Sequence, residues 1–213
     1  MRTFKSFAVV IIALSTWLVA GSIQAKAPSF TYVEAEYIAA GEFELSDGSL
    51  SADVDMDGFA LSGSVELGMF LLQASRFELD SDTVFDSNLE DSISTLALGV
   101  NFKLPQTAFY GLVRARRDEL SINGALGRLI DEELDETSVG LEAGVRVNLT
   151  NRFELNANLG TPALDEGTSY GVGAQFMLTD NLGLNLKYNV IEIEDDDLTA
   201  DLQTTSASLR FTF

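Results

Sequence analysis

The polarity pattern of this chain predicts an all-β fold, a closed antiparallel transmembrane β-barrel of ten strands. Three observations carry the prediction. From Phe30 onward, about ten segments alternate apolar with polar residues, and period-two alternation gives an extended chain one apolar and one polar face. Beyond the apolar run Phe7 to Ala20, no stretch approaches the ~18 apolar residues that a membrane-crossing helix requires. The sequence ends on Leu209-Arg210-Phe211-Thr212-Phe213, alternating up to its last aromatic residue. A free terminus tends to fray, whereas the last strand of a barrel is held by pairing with the first.

The N-terminus reads differently. Arg2 and Lys5 precede the apolar run, and small residues follow it up to Ala25-Lys26-Ala27. A basic start, a short apolar stretch and a small-residue exit describe a secretory signal peptide. Residues 1–25 are therefore expected to be removed, with cleavage after Ala25 or Ala27, and 28–213 to form one barrel domain. The chain has no cysteine, so disulfides do not brace it. Its formal net charge of −20 argues against nucleic acid as a partner.

Each strand has a recognisable face pattern. The first, Phe30 to Ala40, sets Val33, Ala35 and Tyr37 against Tyr32, Glu34 and Glu36. A loop to Asp57 is expected next, then a strand Gly58 to Leu67 and a tight turn at Gly68. The third strand, Met69 to Leu79, alternates least cleanly; the fourth sets Leu96, Leu98, Val100 and Phe102 against Thr95, Gly99 and Asn101. Leu104-Pro105-Gln106 turns the chain, because proline cannot donate to a ladder. The fifth strand, Thr107 to Arg117, sets Phe109, Val113 and Ala115 against Tyr110, Arg114 and Arg116. The longest loop is expected over Asp118 to Glu136. The remaining four strands alternate clearly around Val139 to Val147, Phe153 to Leu159, Tyr170 to Phe176 and Leu182 to Tyr188, and the closing strand follows Asp195-Asp196-Asp197. Lengths of roughly nine to eleven residues suit tilted membrane-crossing strands. An eight-stranded barrel is the alternative if two of the hairpins are rim structure.

Phe30-Thr31-Tyr32-Val33-Glu34, Gly140-Leu141-Glu142-Ala143-Gly144-Val145-Arg146 and Arg210-Phe211-Thr212-Phe213 carry a resemblance. They are similar to Tyr-x-Tyr-Val-Glu, Gly-Leu-x-Ala-Gly-x-Arg and x-Arg-Phe-x-Phe in small outer-membrane β-barrels of Gram-negative bacteria, the broad class of the OmpA transmembrane domain and OmpX. Phe30 departs from that pattern by lacking the hydroxyl. The resemblance implies a place in the outer membrane, with lipid and lipopolysaccharide as surroundings. It also implies that Leu209, Phe211 and Phe213 form the C-terminal signal that the barrel-assembly machinery reads. It implies little about activity, because few activities are assigned in this class.

The strand map sorts the charges. Glu34, Glu36, Glu66, Glu142 and Glu154 face inward with Arg114, Arg116, Arg146, Lys187 and Arg210. Balanced charge suits an interior withdrawn from water. Counting from the turns sets Arg114 directly across from Glu142 and Arg146 beside Glu154, and closure brings Arg210 to Glu34 or Glu36. These pairs are expected to brace and largely plug a narrow lumen. Of 33 acidic residues, only these five and Asp180 in a turn lie away from the external loops and upper rim. Such an acidic surface repels lipopolysaccharide phosphates unless divalent cations bridge them.

Asp53-Val54-Asp55-Met56-Asp57-Gly58 matches the opening of a calcium loop, making Asp53, Asp55 and Asp57 the candidate metal ligands. The twelfth position is Ser64 rather than glutamate, and the residues that follow read as a strand. Histidine is absent, which removes the general base that hydrolases and acyltransferases of this membrane use and a usual zinc ligand. No enzyme and no resident cofactor are expected. The leading expectation is a structural, surface-interacting barrel with acidic external loops and an unknown external partner. The alternative is a narrow, porin-like, cation-preferring channel for small solutes.

Overall fold

The computed structural model describes residues 26–46, 51–81, 87–124, 134–163, 167–195 and 198–213. The expected signal peptide lies outside the described residues. Ten antiparallel strands run in order around a closed sheet, each bonded to its sequence neighbours, with β1 and β10 closing the seam. They are β1 (Tyr32–Ser46), β2 (Ser51–Leu67), β3 (Phe70–Ser81), β4 (Ser87–Lys103), β5 (Thr107–Gly124), β6 (Leu134–Asn148), β7 (Phe153–Thr161), β8 (Thr168–Met177), β9 (Leu182–Asp195) and β10 (Leu198–Thr212). The count is ten, and the eight-strand alternative falls away.

Strand lengths depart from expectation. They range from 9 residues in β7 to 18 in β5. The loop expected up to Asp57 is mostly strand, since β2 begins at Ser51 and pairs with β1 as far as Ser46. The loop expected over Asp118 to Glu136 is likewise shortened, because β5 reaches Gly124 and β6 starts at Leu134. Acidic residues beyond the apolar band therefore ride on paired strands. Alternation continues into these extensions, as in Glu42-Phe43-Glu44-Leu45 and Asp53-Val54-Asp55-Met56-Asp57, but their acidic composition reads as loop.

The β2–β3, β4–β5, β6–β7 and β8–β9 connections all lie at one end of the barrel. Gly68 turns β2 into β3 with φ of +68°, a conformation that glycine adopts without a Cβ penalty. Residues 104–106, 149–152 and 178–181 make the other three turns. Above the apolar band, β1 carries an irregularity after Ile38 in both of its pairings, ending at Ala40 against β10 and at Gly41 against β2. One extra residue reverses the inside–outside parity beyond it, so that Gly41 is buried opposite Met56.

The outer face is a band of exposed apolar side chains, among them Phe59, Leu61, Phe70, Leu98, Phe102, Leu186 and Leu209. Water would not tolerate so large a continuous apolar surface; lipid does, and closure leaves no sheet edge exposed to it. The C-terminal residues Leu209, Phe211 and Phe213 belong to this band, with the rings of Phe211 and Phe213 packed edge-on 5.1 Å apart.

Candidate functional site

The lumen near the short-turn end is crowded with polar side chains on the inner parity of each strand. The seam sets Glu34 of β1 directly across from Arg210 of β10. Glu34, 1% exposed, accepts from Arg210 Nε and from Lys187 Nζ. Ser208 Oγ donates at 2.7 Å to the Oε1 that meets Lys187, and Asn185 Nδ2 donates at 3.2 Å to the Oε2 that meets Arg210. Lys187 also reaches Glu36 at 2.5 Å, where Ser206 Oγ donates at 2.5 Å. Arg210 continues the network by donating to Gln175 Oε1 at 3.1 Å and stacking over the Tyr32 ring at 4.1 Å. Each buried charge thus has several partners, the condition under which burying it is tolerable.

A second cluster stands on β6 and β7. Arg146 donates to both oxygens of Glu154, at 2.7 and 3.0 Å. Its Nη1 donates to the carbonyl of Ser29 at 2.7 Å, and Asn148 Nδ2 donates to the carbonyl of Lys26 at 2.6 Å. These contacts hold the segment before β1 at the barrel end, with Pro28 and Phe30 buried in it and Lys26 exposed. Phe30, 1% exposed, packs with Leu71, Ala97, Ala108 and Leu112. The Tyr110 ring meets it edge-on at 5.6 Å, and the Arg146 guanidinium lies 4.8 Å from its centroid. Lys103 stands 5.6 Å from the same ring and reaches Glu66 at 2.5 Å.

Arg114 and Glu142 meet at 2.7 Å, with Tyr110 OH donating to the same carboxylate at 3.0 Å. They do not face each other directly. The register sets Leu112 opposite Glu142 and Arg114 opposite Gly140, so the long side chains reach diagonally across a two-residue offset. Arg146 and Glu154 are diagonal too, because Arg146 faces Asn156. Arg116 joins none of the inward glutamates and bonds Asp118 on its own strand at 2.7 Å.

Several members of this site are absent from the sequence reading. Lys103 is signalled by parity, since it shares the inner face with Asn101, whereas Phe102 points out. Asn185, Ser206, Ser208 and Gln175 are polar residues at inner positions, and their importance appears only when the neighbours are known. Phe30 had inner parity as well, but nothing in the pattern distinguishes a strand residue from a tail residue tucked into the lumen.

The candidate metal ligands are differently placed. Asp53, Asp55 and Asp57 lie on β2, and Asp55 and Asp57 face outward, since Met56 and Gly58 are the buried neighbours. The side chain of Asp53 lies outside the described residues. An extended strand cannot wrap consecutive ligands around one ion as a turning loop does. Among the described residues, no three acidic side chains gather as a metal-holding group.

No protein-family model matches the chain, and no curated protein matches it. Solved structures do match. The outer membrane protease OmpT from Escherichia coli aligns with a TM-score of 0.55 at 10% identity, over 87% of this chain and 99% of that one. This chain has the fold of an outer-membrane β-barrel. The translocator domain of the autotransporter NalP from Neisseria meningitidis aligns with a TM-score of 0.50 at 12% identity, over 98% of this chain and 95% of that domain. At such identities the likeness concerns the fold of the barrel and leaves its lumen to be read from its own residues.

Proposed function

We propose that this chain is a closed surface barrel of the outer membrane, a structural, surface-interacting protein with no enzymatic activity. In this reading its signal peptide is removed on export, and the machinery that assembles barrels reads Leu209, Phe211 and Phe213. The lumen is plugged at the periplasmic end by the Glu34–Lys187–Arg210 and Arg146–Glu154 groups together with residues 26–31. The observation that carries the reading is the tail itself. Phe30 is buried among Leu71, Leu112 and Tyr110, and Arg146 clamps the backbone at Ser29. The acidic external strands then meet the outside, with divalent cations bridging them to lipopolysaccharide phosphates.

A second reading, a narrow cation-preferring channel, draws on a cavity in the upper lumen and on the acidic surroundings of its mouth. Recording from the purified barrel in a planar bilayer separates the two. The closed reading expects silence. Steady openings, with cation preference lost when external acids are neutralised, would establish the channel instead.

A further inference from the structure

Above the ion-pair groups the lumen holds a cavity of about 280 Å3, and its two sides differ in chemistry. Ile38, Phe77, Leu79 and Ile93 make an apolar shelf on one side. Asn156 and Asn158 of β7 and Asn189 of β9 make the other. Between those strands β8 offers glycine: Gly171 pairs with both Asn158 and Asn189, and Gly173 with Asn156. A Cβ on Gly171 would stand 2.4 Å from Asn158 Oδ1 and 2.3 Å from Asn189 Oδ1. The two amides therefore lean over the glycine from both sides, in space that any larger residue would occupy. Among the described residues, none of the three amides has a hydrogen-bond partner in the protein.

Thr95 is an independent sign of the same kind. Its hydroxyl is buried without a partner, lines this cavity and stands across from Arg116 in register. Buried polar atoms in native proteins are nearly always satisfied, by protein or by water; of the four unpartnered ones among the described residues, Ser64 Oγ, Ser92 Oγ, Thr95 Oγ1 and Asn185 Oδ1, Thr95 alone lines this cavity and takes its partner from what the cavity holds. Charge narrows the choice of occupant. Arg114, Arg116 and Lys187 line the cavity but are already paired with Glu142, Asp118 and Glu36. An anion would have to displace a carboxylate and pass the acidic upper strands; a cation would find no free carboxylate among these pairs. Uncharged hydroxyls suit the site, because they donate to and accept from amides alike. The C–H face of a sugar ring also suits the apolar shelf.

We infer that this cavity binds a small uncharged saccharide between the Asn158–Asn189 amides and the Ile93–Phe77 shelf. Its volume fits a ligand below drug size, for which pockets of roughly 300–1,000 Å3 are usual. The inference adds a ligand to the closed-barrel reading and rests on it only for a cavity that is blind at the periplasmic end.

The test uses the full barrel in lipid nanodiscs free of glycoside detergent, with saturation-transfer NMR. Glucose, galactose and N-acetylglucosamine are the probes, and glucuronate and glucosamine are charged controls. At least one neutral sugar is expected to receive magnetisation at millimolar concentration. Asn158→Ala with Asn189→Ala should weaken that binding about tenfold, the loss of two modest hydrogen bonds. Thr95→Val, which keeps the shape, should weaken it about threefold. No transfer to any neutral sugar, stronger binding of glucuronate than of glucose, or undiminished binding in the double variant overturns the inference. Circular dichroism and gel mobility of each variant exclude misfolding as the cause. Conductance of the same preparation separates the two claims. Sugar binding in a conducting barrel refutes only the closed lumen, and a silent barrel that binds no sugar refutes only the site.

Discussion

The lower and upper parts of the lumen are built from the same strands yet hold their polar groups in opposite ways. Below, charges are compensated many times over: Glu34 alone receives Arg210, Lys187, Ser208 and Asn185. Above, among the described residues, three amides and the Thr95 hydroxyl are left without protein partners around open space; below, the unpartnered Asn185 Oδ1 and Ser64 Oγ are enclosed and line no such space. The difference lies in side-chain length at inner positions. Arginine, lysine, glutamate and a tucked phenylalanine cross the lower barrel; glycine, asparagine and serine on β7 and β8 leave the upper part unfilled. Polar residues inside a barrel can therefore either close it or prepare it for a guest, and what decides is whether they reach one another.

Substitutions in the two parts should separate accordingly. Glu34→Ala leaves two buried cations without their shared carboxylate, and should cost about 3–5 kcal/mol in urea unfolding from lipid vesicles. A change below ~1 kcal/mol would mean that water already reaches the lower network. Arg114→Ala removes a partly exposed pair higher in the barrel, and about 1 kcal/mol is expected by the same measurement. Arg76→Ala acts outside the lumen altogether, where Arg76 and Glu78 are both well exposed on β3. It should stay within about 0.5 kcal/mol, and a larger loss would show that stability resides in the external strands as well.

Much of this arrangement was legible in the residues. Alternation identified ten strands and their faces, because each lipid-facing position demands an apolar side chain; Phe102, Leu141 and Leu186 could be placed this way. Closure alone brought Arg210 to Glu34 or Glu36, and the seam register selects Glu34. The offset between Arg114 and Glu142 did not, since register depends on where each turn begins, and a two-residue error keeps every side chain on its correct face. Strand extension beyond the band was hidden for a different reason: alternation continues, as in Leu120-Ser121-Ile122 and Ile191-Glu192-Ile193, but the density of acidic residues beside it reads as loop. The tail was hidden too. Phe30 continues the parity of Tyr32 and Glu34, and only the clamp of Arg146 on Ser29 reveals that it fills the lumen. The cavity depends on what is missing at Gly171 and Gly173, and an absence of side chain gives no periodic signal.

The absence of cysteine makes the contrast directly measurable. Asn185→Cys and Asn158→Cys place one thiol in each part of the lumen, at positions of similar size and equal inner parity. With the barrel in lipid vesicles, a membrane-impermeant maleimide should label position 158 readily. Position 185, 1% exposed in the native chain, should label at least about a hundredfold more slowly, because access there requires local unfolding. Equal labelling rates at the two positions would contradict the closed lower lumen.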